Sequence, residues 1–85
     1  MAYRVELVPS AVREMRKLSP DIGRRIGHAI GRLAYNPRPS AARRLAGDRS
    51  GYRTRVGDYR VLYEVDDEEQ LITVGRVAHR GKAYR

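Results

Sequence analysis

Residues 51–67 read GYRTRVGDYRVLYEVDD. Apolar and polar residues alternate on both sides of Gly57-Asp58, the period of half-buried strands. Glycine followed by aspartate between two such runs predicts a two-residue hairpin, and Gly at the first central position suits a type II′ turn. The strands fall at about 52–56 and 59–65. A two-residue connection fixes the register, so Val56 is expected opposite Tyr59, Arg55 opposite Arg60, Thr54 opposite Val61, Arg53 opposite Leu62 and Tyr52 opposite Tyr63. One face then carries Val56, Val61, Tyr63 and Val65 and requires a cover. The other carries Arg53, Arg55 and Arg60. Like charges directly opposite each other destabilise a strand pair, so the Arg55–Arg60 juxtaposition points to a function, the binding of a phosphate between two guanidinium groups; the alternative is that both side chains splay into solvent or pair with Asp58 or Glu64.

A third strand is expected at about 70–78 (QLITVGRVA), beyond an acidic tip at Asp66, Asp67, Glu68 and Glu69. If Val65 pairs with Gln70, Gly75 lies opposite Arg60 and leaves an open floor on the arginine face. Val77 and His79 continue that face. The acidic tip reads as a solvated turn and not as a metal site.

Working back from the hairpin, residues 36–51 form a loop rich in Pro, Ser, Ala and Arg, with a short strand or turn near Arg43–Leu45. Ser19-Pro20 starts a helix that runs to about Tyr35, with Ile22, Ile26, Ile30 and Leu33 as its apolar stripe. Gly23, Gly27 and Gly31 form a second row spaced by four. Each costs about 1 kcal/mol relative to Ala, and the expected compensation is close approach of the preceding helix. That helix spans 11–18, capped by Ser10, with Val12, Met15 and Leu18 inward. Residues 3–8 make the first strand. The order β-α-α-β-β-β predicts an α+β fold, an antiparallel sheet with two N-terminal helices packed on one face, as a single domain over 1–85.

The chain has 85 residues, 18 basic against 10 acidic, and a formal charge of +8, an excess that favours polyanionic partners. All the basic residues are Arg except Lys17 and Lys82, and Arg presents a planar fork suited to phosphate and stacks on bases. Cysteine is absent, which excludes disulfides and thiolate–metal sites. Residues 1–8 lack the apolar run of a signal peptide, and no stretch reaches membrane-span length. The expectation is a cytoplasmic protein with no membrane partner, no metal and no cofactor.

The run GYRTRVGDYRVLYEVDDEEQLITVGRVAHRGKAYR (51–85), together with YRVELVPSAVREMRKL at the start, resembles toxins of the RelE/ParE superfamily, RelE-like members in particular. The strongest segments are GDYRVLYEVDDE (57–68) and VAHRGKAYR (77–85). The resemblance implies the toxin of a type II toxin–antitoxin system. Such a toxin is a ribosome-dependent messenger-RNA endoribonuclease that inhibits translation. The implied partners are a cognate antitoxin, mRNA and the ribosome, in a toxin–antitoxin hetero-oligomer that binds operator DNA through the antitoxin. Family positions for ribonucleolytic residues fall on Arg53, Arg55, Arg60, Arg80 and Tyr84. Where several relatives carry Lys, this chain has Arg53 and Arg55; an Arg stays charged and is a poor general base.

The implied chemistry is attack of a ribose 2′-OH on the adjacent phosphorus without metal. Arg60 and Arg80 are expected to meet the charge that builds on the phosphoryl oxygens. Arg53, Arg55 and Lys82 would hold flanking phosphates. His79 has an ordinary pKa suited to proton exchange near neutrality. Tyr84 could donate a proton or stack on a base. His28 lies among polar helical residues. Two alternatives stay open: a ParE-like inhibitor of DNA gyrase, and a non-enzymatic basic module that binds nucleic acid.

Overall fold

The computed structural model describes residues 2–47 and 51–81. Its elements are β1 (Arg4–Leu7), α1 (Pro9–Arg16), α2 (Pro20–Leu33), β2 (Arg43–Arg44), β3 (Gly51–Val56), β4 (Tyr59–Asp66) and β5 (Leu71–His79). The sheet order is β1-β5-β4-β3-β2. The sheet is antiparallel from β2 to β5, and β1 adds to β5 in parallel. This is the expected α+β arrangement, with β1 making the sheet mixed and the two residues of β2 extending its other edge.

The β3–β4 hairpin has the register that its two-residue turn dictates: Val56 faces Tyr59, Arg55 faces Arg60 and Tyr52 faces Tyr63. Gly57 adopts φ +58, the left-handed conformation that a II′ turn demands at this position. Val61, Tyr63 and Val65 are buried on the covered face with Ile72, Val74 and Val77 of β5, against Ala11 of α1 and Ile26, Ile30 and Leu33 of α2. No described helix is long and apolar enough to cross a membrane.

Three local expectations are corrected. The first helix begins at Pro9 and not at 11, with Val8 in the cap position. Proline at the first helical position needs no amide partner and already has a helical φ, so it starts the helix ahead of Ser10. The glycine row on α2 is not a close-approach surface either. A Cβ added at Gly23, Gly27 or Gly31 would meet nothing within 4 Å, and Gly27 and Gly31 are exposed. The stripe of Ile22, Ile26, Ile30 and Leu33 seats α2.

The β4–β5 register is the third. Asp66 pairs with Leu71, and Gln70 closes the turn at φ +51. Val65 therefore faces Ile72 rather than Gln70. A bulge follows: Tyr63 faces Val74 but Leu62 faces Arg76, leaving Gly75 as the extra residue. One extra residue exchanges the faces of everything beyond it. Ala78, not Gly75, lies opposite Arg60; Val77 faces Val61 and is 3% exposed in the core; His79 faces Tyr59.

The free edge of β5 beyond β1 is covered by α1. Glu14 accepts the Val77 N–H through Oε1 at 2.8 Å, and its Oε2 lies 3.4 Å from Nε of Arg76. A backbone donor that β1 does not reach is thereby satisfied.

Candidate nucleic-acid interface

The sheet face away from the helices gathers arginines from three adjacent strands. Antiparallel pairing puts Arg53 opposite Arg43 of β2, and Arg55 opposite Arg60 of β4. Residues directly opposite in a ladder share a face, so all four point to one side. Together with Ala41 they line an open hollow of about 300 Å³. Among the described residues, no acidic one lines it. Among the described residues, neither Arg55 nor Arg60 forms an ion pair with Asp58 or Glu64. The Arg60 side chain makes a long bond to its neighbour's backbone, 3.4 Å from Nη1 to the Tyr59 carbonyl. Hence no described side-chain carboxylate offsets the opposed charges of this pair.

Sequence patterning does not single out Arg43. Its strand is two residues long, too short for any periodicity to show. The available signal is the Arg43-Arg44 pair, in a loop where a short strand or turn is expected. Nη1 of Arg43 donates to the carbonyls of Ser40 and Ala42, at 2.8 and 2.9 Å, which turns the side chain along its own loop.

That loop is clamped to the sheet by a polar network at the end opposite the hairpin turn. Nε of Arg38 donates to the Tyr52 hydroxyl at 2.8 Å, and its two terminal nitrogens reach both oxygens of Asp67, at 2.8 and 3.3 Å. The Tyr3 hydroxyl donates to Asp67 at 2.6 Å. Donation from Arg38, then from Tyr3, holds the Asp67 carboxyl below its ordinary range. The Tyr52 hydroxyl is likewise lowered, first by Arg38 and then by Arg44. The Tyr63 hydroxyl donates to the Pro37 carbonyl at 2.7 Å, and burial pushes its pKa up to about 12. Thus Asp67 of the acidic tip anchors the segment that presents Arg43.

Arg80 follows β5 directly, and its N–H donates to the Asp58 carbonyl at 2.8 Å. It is two residues beyond Ala78, the partner of Arg60, so the ladder gives it the parity of the arginine face. It stands at the hairpin end of that face and not among the residues lining the hollow. Without the bulge at Gly75, Arg80 would have the parity of the covered face.

His79 takes the other parity. Its ring meets Tyr59 edge-on, with centroids 5.5 Å apart and planes at 81°. The expectation that His79 shares the arginine surface is therefore corrected. Lys82 and Tyr84 lie outside the described residues. His28 is exposed on α2.

Comparison with known proteins agrees with this geometry. A family model described as the ParE toxin of the type II toxin–antitoxin system parDE matches residues 5–84. Toxin RelG of Mycobacterium tuberculosis is 38% identical over 90 residues, covering 100% of this chain and 99% of the relative. The toxin in the archaeal RelE–RelB complex of Pyrococcus horikoshii superposes with a TM-score of 0.85 at 32% identity, over 98% of this chain and 100% of that one. The isolated RelE toxin of Escherichia coli gives 0.83 at 25% identity, over 98% and 89%. The chain belongs to the RelE/ParE superfamily of type II toxin–antitoxin toxins.

Proposed function

We propose that this toxin is a ribosome-dependent messenger-RNA endoribonuclease whose arginine face binds the RNA backbone. The observation that carries the reading is the convergence of Arg43, Arg53, Arg55 and Arg60 on one hollow that, among the described residues, no acidic one lines. Planar guanidinium groups from three strands can hold several phosphoryl oxygens at once, and fixed cations favour the charge that develops there.

In the proposed reaction the ribose 2′-oxygen forms a bond to the adjacent phosphorus while the bond from phosphorus to the 5′-oxygen breaks. A 2′,3′-cyclic phosphate and a 5′-hydroxyl result. The 2′-OH proton leaves to solvent or a neighbouring RNA group, and the 5′-oxygen gains one. Arg60 and Arg80 face the phosphoryl oxygens. Arg53, Arg55 and Lys82 hold flanking phosphates, and Arg43 joins them. Tyr84 supplies a proton to the leaving oxygen or stacks on a base. His79, on the opposite parity, is not assigned to the phosphate. Permanently charged Arg53 and Arg55 bind and do not exchange protons, so positioning of the RNA by the ribosome supplies much of the rate.

A cognate antitoxin is proposed as the cytoplasmic partner, in a hetero-oligomer that binds operator DNA through the antitoxin. Support comes from the P. horikoshii relative, which was solved as a RelE–RelB complex. A second reading, gyrase inhibition, is favoured by the ParE description of the matching family model.

Expression of the toxin alone, with primer-extension mapping of messages, tests the proposal. It predicts translational arrest and cuts within codons, both abolished in Arg60→Ala/Arg80→Ala. Growth arrest with intact messages and disturbed DNA supercoiling would favour the gyrase reading instead. Harmless expression with salt-sensitive RNA binding would reduce the protein to a binding module.

A further inference from the structure

Beside the arginine hollow, the same sheet face carries a second one of about 350 Å³, whose lining includes Val8, Leu45, Leu62, Glu64, Thr73 and Gly75. Leu62 lines this second hollow, and its ladder neighbours line the arginine one. It lies opposite Arg53 on β3 and two residues beyond Arg60 along β4. Val8, Leu45 and Leu62 are only partly buried. The floor is open because the bulge residue is glycine: a Cβ at Gly75 would meet only the Leu62 carbonyl oxygen, at 4.0 Å. Glu64 and Thr73, paired across β4 and β5, give the apolar hollow a polar rim. A cationic hollow and an apolar one with a polar rim, one strand step apart on the same face, match the parts of a single nucleotide, phosphate beside base.

We propose that this second hollow receives one unstacked nucleobase of the RNA strand whose phosphates lie against Arg53, Arg55 and Arg60. The proposal rests on the reading of the arginine face as an RNA site. Residues i and i+2 on one strand face are about 6.6 Å apart, so the step from Arg60 to Leu62 is of nucleotide size. Single-stranded RNA is recognised by splaying bases onto such surfaces, with contacts to their edges. Glu64 accepts hydrogen bonds when ionised and Arg76, which also lines the hollow, donates them, so the rim can meet both the N–H groups and the acceptor atoms of a base edge.

The test is binding of the purified chain to two labelled probes. One is a short single-stranded RNA made uncleavable by 2′-O-methylation. The other is a ribose-phosphate oligomer of the same length without bases. The wild type is expected to bind the base-bearing probe about tenfold more tightly. Gly75→Val fills the floor at a position with room for a side chain, and should bring the two affinities together while leaving that for the abasic probe unchanged. Leu45→Ala, which removes a wall outside the sheet, should narrow the preference if Gly75→Val does not fold. Equal wild-type affinity for both probes overturns the base subsite and leaves the phosphate site standing. Binding of neither probe overturns both. A Gly75→Val chain that keeps its preference for bases but no longer binds its antitoxin assigns the hollow to a protein partner and overturns the proposal.

Discussion

Replacing Gly27 and Gly31 by alanine should make this protein substantially more stable. Both lie inside α2 and both are exposed. Apart from the helix's own backbone, neither has an atom within 4 Å of the position that the new methyl would occupy. No steric cost therefore opposes the gain in helix propensity, about 1 kcal/mol at each site. Much of that gain comes from the smaller conformational freedom of the unfolded chain. The two sites are i,i+4 neighbours, but the gain at each is one of backbone propensity and neither methyl meets a packing partner, so together they should give about 2 kcal/mol. Against a total of about 4–13 kcal/mol for a domain of this size, that is a large fraction. It should raise the melting temperature by about 8–16 °C. Paired thermal and urea unfolding of the wild type, each single variant and the double variant measures it, with the urea slope unchanged. A double variant no more stable than the wild type would refute the reasoning, because something must then pack on the glycine row.

Other perturbations separate the roles of single residues. Arg55→Thr removes one partner of the opposed pair, so it should raise stability by about 0.5 kcal/mol at low salt. It should also weaken RNA binding and reduce the salt slope by about 0.7 for each phosphate no longer neutralised; a fall in stability would place Arg55 in the fold and not the site. Glu14→Ala leaves the Val77 N–H without its acceptor and should cost about 2 kcal/mol in denaturant unfolding. The raised pKa of Tyr63 means that the native state keeps its proton when the unfolded state has released it. The associated stability is intact below the ordinary tyrosine pKa of about 10 and falls by about 2–3 kcal/mol as pH rises to 12. Tyr63→Phe should flatten that alkaline limb, seen by urea unfolding at several pH values between 9 and 12.

The hairpin is legible in the sequence because a two-residue turn leaves one register, and Gly57-Asp58 names the turn chemically. That register alone is enough to put Arg53, Arg55 and Arg60 on one face. The third strand is not legible to the same depth. Its four-residue connection ends on Gln70 at positive φ, and the bulge at Gly75 adds one residue to one strand only. Alternation read straight through Gly75 therefore sends His79 to the arginine face, whereas the ladder sends Arg80 there. A glycine inside a strand pattern is a signal for a bulge, but it does not say which residues resume the pairing. The role of Arg43 depends on a two-residue strand held by Arg38, Asp67 and Tyr52, partners distant in sequence that no local pattern encodes. The glycine row misleads for a different reason: spacing by four marks a helix face but not whether anything lies against it.

The role proposed for the arginine face is to position RNA phosphate for attack by the neighbouring 2′-OH. It is tested most directly by end-group analysis of messenger RNA incubated with purified toxin and programmed ribosomes. Such a site predicts 5′-hydroxyl ends and 2′,3′-cyclic phosphates at cuts within codons, with no metal added beyond what the ribosomes require. It also predicts that these ends disappear with Arg60→Ala/Arg80→Ala chains that melt as the wild type does. Uncut message with the wild-type toxin, or cutting undiminished in the double variant, would contradict it.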